Sequence, residues 1–293
     1  MVTIAPGLLS AAELLTAHVR PRAEAVEERC RLDDVTATEI SDAGFPAHFV
    51  PAVHGGRAGT FTELVRAVTE LGEGCTSTAW CAALFAAHGR LASYLPERGR
   101  AAVWARGAQT RIAAAVVPPQ GSAVAVSGGW QLSGRWTPAS GVDHAQWILL
   151  ASRTGDQHRI FAVPVRRCTI LSTWDHVGLR GSGSNSVELD GVFVPSWSTM
   201  TLDDLARPHR DPDAARCHRV PFPLVAGLMF AAPALGAAQA AVADVVAALR
   251  QRSAAGPARP ARVRRPRWRR PRPRCGVRGC CCSARQAAPT RER

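Results

Sequence analysis

The spacing of apolar residues changes twice along the chain, and this change constrains the fold more than any other feature. Up to about residue 110 the apolar residues follow helical spacing. From Arg111 to about Pro195 the chain has short β-type runs separated by Gly and Pro, and after Asp203 helical spacing returns. The sequence therefore predicts an α+β fold. Its parts are an N-terminal α-helical domain, a middle antiparallel β domain and the start of a C-terminal helical bundle, at residues 1–110, 111–200 and 201–250.

Two helix starts are marked by a hydroxyl residue that stands three positions before a Glu. Ser10 and Thr60 have this capping-box spacing, so helices are predicted to begin at both. A further helical segment, STAWCAALFAAHGRLASYL, carries Trp80 and His88 eight residues apart. Because eight residues make about two helical turns, both side chains are predicted to lie on one face.

The positive charge is concentrated at one end of the chain. The formal net charge is +13 with no Lys, but residues 1–249 carry 21 Arg against 22 Asp and Glu, whereas residues 250–293 carry 15 Arg against one Glu. Residues 251–293 are rich in Arg and Pro without apolar periodicity, so a disordered basic tail is predicted. The tail has a single aromatic residue, Trp268, which argues against a nucleic-acid-binding arm.

Neither a membrane protein nor a metal or disulfide framework is indicated. The first 20 residues lack the positive start and continuous apolar run of a secretory signal, so a cytoplasmic protein is expected. The five Cys residues before residue 250 show no paired ligand spacing, and no metal site is predicted. Residues 222–249 include Pro233 and Asp244 and are dominated by Ala, which favours a buried helix of a bundle over a membrane span.

Three blocks of the sequence resemble a known family. They are GCTSTAWCAALFAAHG, LSGRWTPASGVDHAQWILLA and WDHVGLRGSGSNSVELDGVFVP. In this order they resemble blocks of the acyl-CoA dehydrogenase superfamily, and more narrowly its flavin-dependent monooxygenase branch, the two-component hydroxylases. The resemblance extends from about Ala11 to Arg250.

The resemblance implies a hydroxylase that uses a cofactor from a partner. Reduced FMN or FAD would come from a separate flavin reductase and react with O2, and one oxygen atom would pass to an aromatic or polyketide-like small molecule. The protein would position the reactants and exclude water. Relatives of this kind are homotetramers with a further helical bundle, which carries a late catalytic His. That bundle is not recognisable after residue 250, so a tetramer is not expected of the chain as written.

The resemblance also implies site residues. Trp80 and His88 match a Trp and a His on the helix that borders the flavin, and His88 would be a hydrogen-bond partner or acid/base for the substrate or the oxygenated flavin. On periodicity alone, a satisfied core histidine is the favoured interpretation of His88, and the resemblance brings the site role level with it.

The segment WTPASG matches the loop that passes the flavin ring. Trp136 would form a wall, Thr137 and Ser140 would contact the cofactor, Ser140 with its hydroxyl, and Gly141 would permit close approach. An ordinary turn Ser and a core Trp are the alternatives. The pair that follows, Asp143 and His144, is predicted to bridge the loop to a strand. Ala113, Ala114 and Ala115 stand where many relatives carry hydroxyls, which would make the pocket less polar.

Two other readings of the whole chain remain open. A true acyl-CoA dehydrogenase would need a carboxylate base, which the family places in the bundle. Alternatively, the chain would be a non-catalytic remnant with a basic arm. The abrupt change of composition at about Gln251 is what a GC-rich gene gives when it is read out of frame, so a frameshifted or truncated, inactive product is a further hypothesis. The segment GLRGSGSNS resembles a phosphate cradle only weakly, because it lacks the strand-to-helix setting.

Overall fold

The computed structural model describes residues 7–208 and 214–254. The chain divides into two compact units, Met1–Ala248 and Leu249–Arg293. Of the second unit only residues 249–254 are described, and they are the end of a helix. The prediction of a disordered tail for residues 251–293 falls outside the described residues from residue 255 onward, and residues 251–254 are helical.

Between residues 7 and 110 the structure describes six α-helices. Their bounds are α1 Leu8–Val19, α2 Ala23–Arg29, α3 Asp34–Asp42, α4 Phe61–Gly74, α5 Thr76–Ala92 and α6 Glu97–Val103. The apolar faces of α1 and α4 meet through buried leucines that include Leu15, Leu64 and Leu71, and Phe85 of α5 is buried in the same core. This packing follows from the i, i+3, i+4 spacing of apolar residues.

One of the two predicted helix starts is confirmed and the other is wrong. Thr60 is the N-cap of α4, and its side chain accepts a hydrogen bond from the Glu63 amide. Helix α1 instead begins at Leu8, two residues before Ser10. The Leu8 amide donates to the Glu63 carboxylate at 3.3 Å, so a side chain from another helix satisfies one of the free amides at the start of α1.

Within the described residues, eight strands form two four-stranded sheets. Their bounds are β1 Ile112–Ala115, β2 Ser122–Val126, β3 Gly129–Ala139, β4 Trp147–Thr154, β5 Gln157–Pro164, β6 Thr169–Leu171, β7 Asn185–Pro195 and β8 Thr199–Thr201. The strand orders are β1-β4-β5-β8 and β2-β3-β7-β6. The predicted α+β class is confirmed. The domain limits at 110, 200 and 250 stay predictions.

The β domain departs from a purely antiparallel arrangement in one place. Strand β1 pairs with β4 in parallel, from Ile112 opposite Trp147 to Ala115 opposite Leu150. Between β1 and β4 the chain passes through β2 and β3 of the other sheet. This long connection allows β4 to run in the same direction as β1. A core of apolar side chains fills the space between the sheets and includes Leu132, Trp136, Ile148, Phe161 and Val187.

Three helices follow the β domain in the described part of the chain: α7 Leu202–Leu205, α8 Arg216–Arg219 and α9 Ala226–Ala254. Near its start α9 packs on α4, where Met229 and Ala232 are buried and Thr69 Oγ1 donates to Ala232 O at 3.4 Å. Gly72 and Gly236 allow the close approach, because a Cβ on Gly236 would collide with Thr69 O.

The expectation of a buried helix at residues 222–249 is wrong for most of α9. Pro233 lies inside the helix without ending it, and Val242 and Val245 are 64% and 59% exposed. By length and composition the stretch Phe222–Ser253 is apolar enough to cross a membrane, with a mean hydropathy of 1.6 in its best window, of which 22% is buried. The sequence analysis rejected a membrane span because the segment was judged too weakly hydrophobic, and the hydropathy of the helix does not support that reason. Core helices of soluble proteins have a similar length and hydropathy.

Candidate functional site

Helix α5 brings both predicted helix residues into the interior. Every residue of α5 except Thr76 and Trp80 is buried, because its many Ala residues allow close packing on both sides. Trp80 is half-buried, and His88 is 7% exposed. Eight residues along a helix correspond to an axial distance of about 12 Å, so the two side chains lie at different levels of the same helix.

Trp80 connects α5 to the loop that follows β3. Its Nε1 donates a hydrogen bond to Ser140 Oγ at 3.1 Å. On the other side its ring lies 5.4 Å from the ring of Phe230 in α9, centroid to centroid. Two separately predicted site residues, Trp80 and Ser140, are therefore brought together.

Ser140 begins a chain of buried hydroxyl groups. Ser140 Oγ lies 2.7 Å from Ser184 Oγ, which lies 2.7 Å from Ser182 Oγ. The three serines are 9%, 2% and 1% exposed, respectively. The segment GLRGSGSNS thus supplies hydroxyls to the Ser140 loop, a role that the sequence did not reveal. The sequence Ser182-Gly183-Ser184 was the one local pattern that could have indicated this role.

Gly141 fixes the shape of this loop. It has a φ of +68°, and a Cβ there would lie 2.8 Å from Phe85 Cζ. Its amide donates to Ser182 O at 2.8 Å. The close approach that Gly141 permits in this structure is to Phe85 of α5.

Glu27 of α2 also binds the loop at residues 178–186, and the sequence analysis missed this residue. The Glu27 carboxylate accepts hydrogen bonds from the amides of Arg180 at 2.9 Å and Gly181 at 3.2 Å, and from the hydroxyl of Ser77. A Glu on an amphipathic helix carries no sign of such a contact, because the partner amides lie about 150 residues away in the sequence.

The predicted bridging role of Asp143 is confirmed. Its carboxylate accepts a hydrogen bond at 2.9 Å from the side chain of Asn185, the first residue of β7. The ring of His144 contacts the N-terminal helical region, with Nε2 2.9 Å from Leu32 O and Nδ1 3.3 Å from the Asp34 carboxylate. These contacts tie the loop to both domains.

His88 faces the start of the first strand. Its Nδ1 lies 2.7 Å from Ile112 O, and a carbonyl accepts only from N–H, so Nδ1 carries the proton and Nε2 has a free lone pair. Burial lowers the pKa of His88 to about 4, although the bond to Ile112 O raises it. The side chain is therefore neutral at neutral pH, and it is a hydrogen-bond acceptor and a weak base.

The structure does not bring Trp136 and Thr137 to the Trp80–Ser140 contact. Trp136 is fully buried between the sheets, and its Nε1 donates to Ala151 O at 2.8 Å. Thr137 is exposed, with its backbone amide and carbonyl bonded to the Gln120 side chain. The Trp136 ring thus has no free face for a wall. Ala113 and Ala115 also lie in the core between the sheets, so their side chains do not set the polarity of an open pocket.

Open cavities lie elsewhere. Cavities of about 810 Å³, 730 Å³ and 550 Å³ are present, and none of the three is lined by Trp80, His88 or Ser140. Within residues 7–208 and 214–254, no group of three or more His, Cys, Asp or Glu could hold a metal ion. Burial raises the pKa of the neighbouring Cys81 thiol, which is therefore neutral.

Comparison with known proteins agrees with this architecture. Residues 9–103 match the family described as acyl-CoA dehydrogenase, N-terminal domain. This part of the chain, which holds α1 to α6, is therefore similar to that N-terminal domain. Over 237 residues the chain is 33% identical to the oxygenase component of the FADH2-dependent resorcinol hydroxylase of Rhizobium sp., with 78% of this chain and 58% of the relative covered. It is 30% identical over 247 residues to the flavin-dependent monooxygenase oxygenase subunit HsaA of Mycobacterium tuberculosis, covering 82% and 62%.

Solved structures give the same result. The 3-HSA hydroxylase from Rhodococcus sp. RHA1 superimposes with a TM-score of 0.81 at 25% identity, over 87% of this chain and 67% of that one. XiaF from Streptomyces sp., solved in complex with FADH2 and glycerol, gives a TM-score of 0.75 at 25% identity, covering 82% and 62%. The resemblance to the flavin-dependent monooxygenase branch is confirmed. The chain spans about three fifths of the length of the curated relatives it matches.

Proposed function

We propose that this chain belongs to the oxygenase component of a two-component flavin-dependent hydroxylase. The observation that carries the proposal is the Trp80–Ser140 hydrogen bond, which joins α5 to the loop after β3 in a chain whose relatives are named oxygenase components. Those names favour hydroxylation over acyl-CoA dehydrogenation.

The residues around Ser140 fit a flavin through one remaining polar group. A hydroxyl can make one donated and two accepted hydrogen bonds. Ser140 uses one lone pair for Trp80 and one position for Ser184, so one position remains for a ligand. The amides of Thr137 and Gly141 are already bonded within the protein, so the hydroxyl is the better candidate. Bound reduced FMN or FAD would supply the electrons that activate O2.

His88 and Trp80 have separate roles in this proposal. The Nε2 lone pair of neutral His88 would accept a hydrogen bond from the hydroxyl of an aromatic substrate and so orient its ring. With a pKa of about 4, His88 is a poor base for a phenol, which makes hydrogen bonding its main contribution. Trp80 would hold Ser140 in place. The cofactor contacts of Trp136, Thr137 and Gly141 stay predictions.

The partners follow from the same proposal. Reduced flavin would come from a separate flavin reductase, since the relatives named above are an oxygenase component and an oxygenase subunit. We propose an aromatic small molecule as substrate and a cytoplasmic location. Recovery of the protein with membranes after cell fractionation would contradict that location, and it is a relevant outcome because of the composition of α9.

The proposal is tested with the chain alone. The protein is titrated without oxygen with reduced and oxidised FMN and FAD, and the complex is then mixed with oxygenated buffer and resorcinol. The expected result is binding of reduced flavin and a product one oxygen atom heavier, measured by mass spectrometry, with no product when the protein is left out. Binding without hydroxylation, but with bleaching of bound oxidised flavin by an acyl-CoA, would favour a dehydrogenase instead.

A further inference from the structure

Arg90 of α5 is a charged side chain in the interior of the protein. The residue is 2% exposed. Its Nε donates a hydrogen bond to Cys217 O at 2.9 Å, and its Nη2 donates to Val220 O. The third nitrogen, Nη1, is buried and makes no hydrogen bond with a described residue. Because a guanidinium nitrogen only donates, Nη1 needs an acceptor from another source.

The groups around Arg90 do not neutralise its charge. The rings of Phe61 and Tyr94 face the guanidinium carbon at 5.4 Å and 5.9 Å. Burial lowers the pKa of Arg90, but an Arg side chain keeps its proton at neutral pH. The titratable groups that act on it are the Tyr94 hydroxyl and the Cys217 thiol, and burial raises the pKa of both, so both are neutral. Within the part of the chain that the structure describes, the guanidinium therefore has no negative partner.

Arg111 shows the contrast. Burial lowers the pKa of Arg111 as well, but the carboxylates of Asp34 and Asp42 act on it in the opposite direction. An isolated charge in a protein interior is strongly unfavourable unless an opposite charge accompanies it. Arg111 has such charges nearby, whereas the negative partner of Arg90 has to come from outside the described residues.

Arg90 also lines a small cavity where α5 meets the first residues of α9. The cavity has a volume of about 10 Å³. Among the described residues that line it, Arg90 is the one charged side chain, and the others are apolar and include Phe49, Phe61 and Phe222. A cavity of this volume is about the smallest that holds one water-sized particle. It is therefore too small for phosphate, sulfate or an organic acid.

We propose that Arg90 binds a single monatomic anion of the size of chloride in this cavity. The anion accepts a hydrogen bond from Nη1 and neutralises the guanidinium, whereas a water molecule would provide the acceptor without the charge. The same guanidinium binds the carbonyls of Cys217 and Val220, so the anion stabilises the packing of this segment on α5. The inference is independent of the proposed function, because neither flavin nor substrate takes part in it.

The test is the thermal stability of the protein when sodium chloride is exchanged for sodium gluconate at constant ionic strength. Gluconate is too large for the cavity, and it screens surface charges as chloride does. A ligand that binds only the folded state raises Tm as its concentration rises. Measured by circular dichroism, Tm is expected to be about 2–5 °C higher in about 0.3 M chloride than in gluconate.

Two variants assign the effect to Arg90. Arg90→Met removes the charge and keeps a long side chain, and an apolar replacement of a buried charge is often tolerated. In this variant the difference in Tm between chloride and gluconate should vanish. The matched control is Arg111→Met, which removes a partly buried charge that has carboxylates nearby and should keep the wild-type difference. The inference is wrong if Arg90→Met keeps the difference or if the wild type shows none.

A crystal of the wild type grown in bromide locates the anion directly, and it carries the test if Arg90→Met does not fold. Bromide is a monatomic anion that can replace chloride, and it scatters X-rays anomalously. An anomalous peak in contact with Arg90 Nη1 is expected. Water alone in the cavity, a carboxylate of the chain bonded to Nη1, or bromide only at the protein surface would overturn the inference.

Discussion

Trp80 Nε1 donates to Ser140 Oγ across 60 residues of sequence, and this hydrogen bond links the helical domain to the β domain at the candidate site. The same indole packs against Phe230 of α9. Trp80 of α5 thus contacts two other parts of the chain, and a displacement of α9 would reach the Ser140 hydroxyl through this indole.

Trp80→Phe is expected to keep the aromatic packing and remove the hydrogen bond. One net hydrogen bond between neutral groups is worth about 1 kcal/mol, so the free energy of unfolding should fall by roughly that amount. Flavin affinity should fall as well, because Ser140 loses the donor that fixes it. Urea unfolding and anaerobic titration measure the two effects. Trp197→Phe, in the 810 Å³ cavity, is the control and should leave flavin affinity unchanged.

The lowered pKa of His88 makes the free energy of unfolding depend on pH. Burial lowers the pKa of His88 to about 4 in the folded protein, whereas an unperturbed His has a pKa of about 6.5, so the unfolded chain binds more protons between these two pH values. The contribution of neutral His88 to the free energy of unfolding is therefore fully present above about pH 6.5 and is lost as the pH falls towards 4. For a fully buried group this pH-dependent contribution to the free energy of unfolding is on the order of 3 kcal/mol.

His88→Gln should therefore flatten the pH dependence. Urea unfolding at pH 7.5 and pH 4.5 is compared for the variant and the wild type. Burial also lowers the pKa of His48, so some pH dependence is expected to remain. An identical loss of stability in both proteins would show that His88 does not govern this window.

Gly141→Ala is expected to destabilise the loop for two reasons. The residue has a φ of +68°, which costs a side chain about 1–2 kcal/mol, and the new Cβ would press on Phe85. Gly155→Ala is the matched control, since Gly155 has a φ of +61° and no atom within 4 Å of the added Cβ. The larger loss should occur at Gly141, and Phe85→Leu should recover part of it. Equal losses at both glycines would contradict the close contact.

Much of this architecture could be predicted from local patterns, and the departures have one physical cause. Periodicity placed Trp80 and His88 on one buried helix, because helix geometry depends on neighbouring residues. The Glu63 bond to the Leu8 amide spans 55 residues, and the Ser140–Ser184 contact spans 44. Such contacts are set by how helices and strands pack, and single-sequence patterns do not encode them. The same holds for the parallel pairing of β1 with β4 and for the core position of Trp136.

The contact between α4 and α9 depends on Gly72 and Gly236. Two Gly→Ala substitutions in α9 are therefore expected to change the stability of the protein in opposite directions. A Cβ on Gly236 would collide with Thr69 O and lie 2.8 Å from Gly72 Cα, so Gly236→Ala should displace the start of α9 from α4. Gly227 lies on the same helix with no atom within 4 Å of an added Cβ. Gly227→Ala should therefore stabilise the protein by about 0.5–1 kcal/mol, because Ala has the higher helix propensity.

The fluorescence of Trp80 distinguishes the two variants. Displacement of α9 would remove Phe230 from the Trp80 ring and expose the indole, so the emission of Gly236→Ala should shift to longer wavelength. Gly227→Ala should keep the wild-type spectrum. Trp80→Phe introduced into each variant identifies the contribution of this indole among the eight Trp residues. If Gly236→Ala were as stable as the wild type and its emission did not shift, the packing of the first turns of α9 on α4 would not depend on this glycine contact.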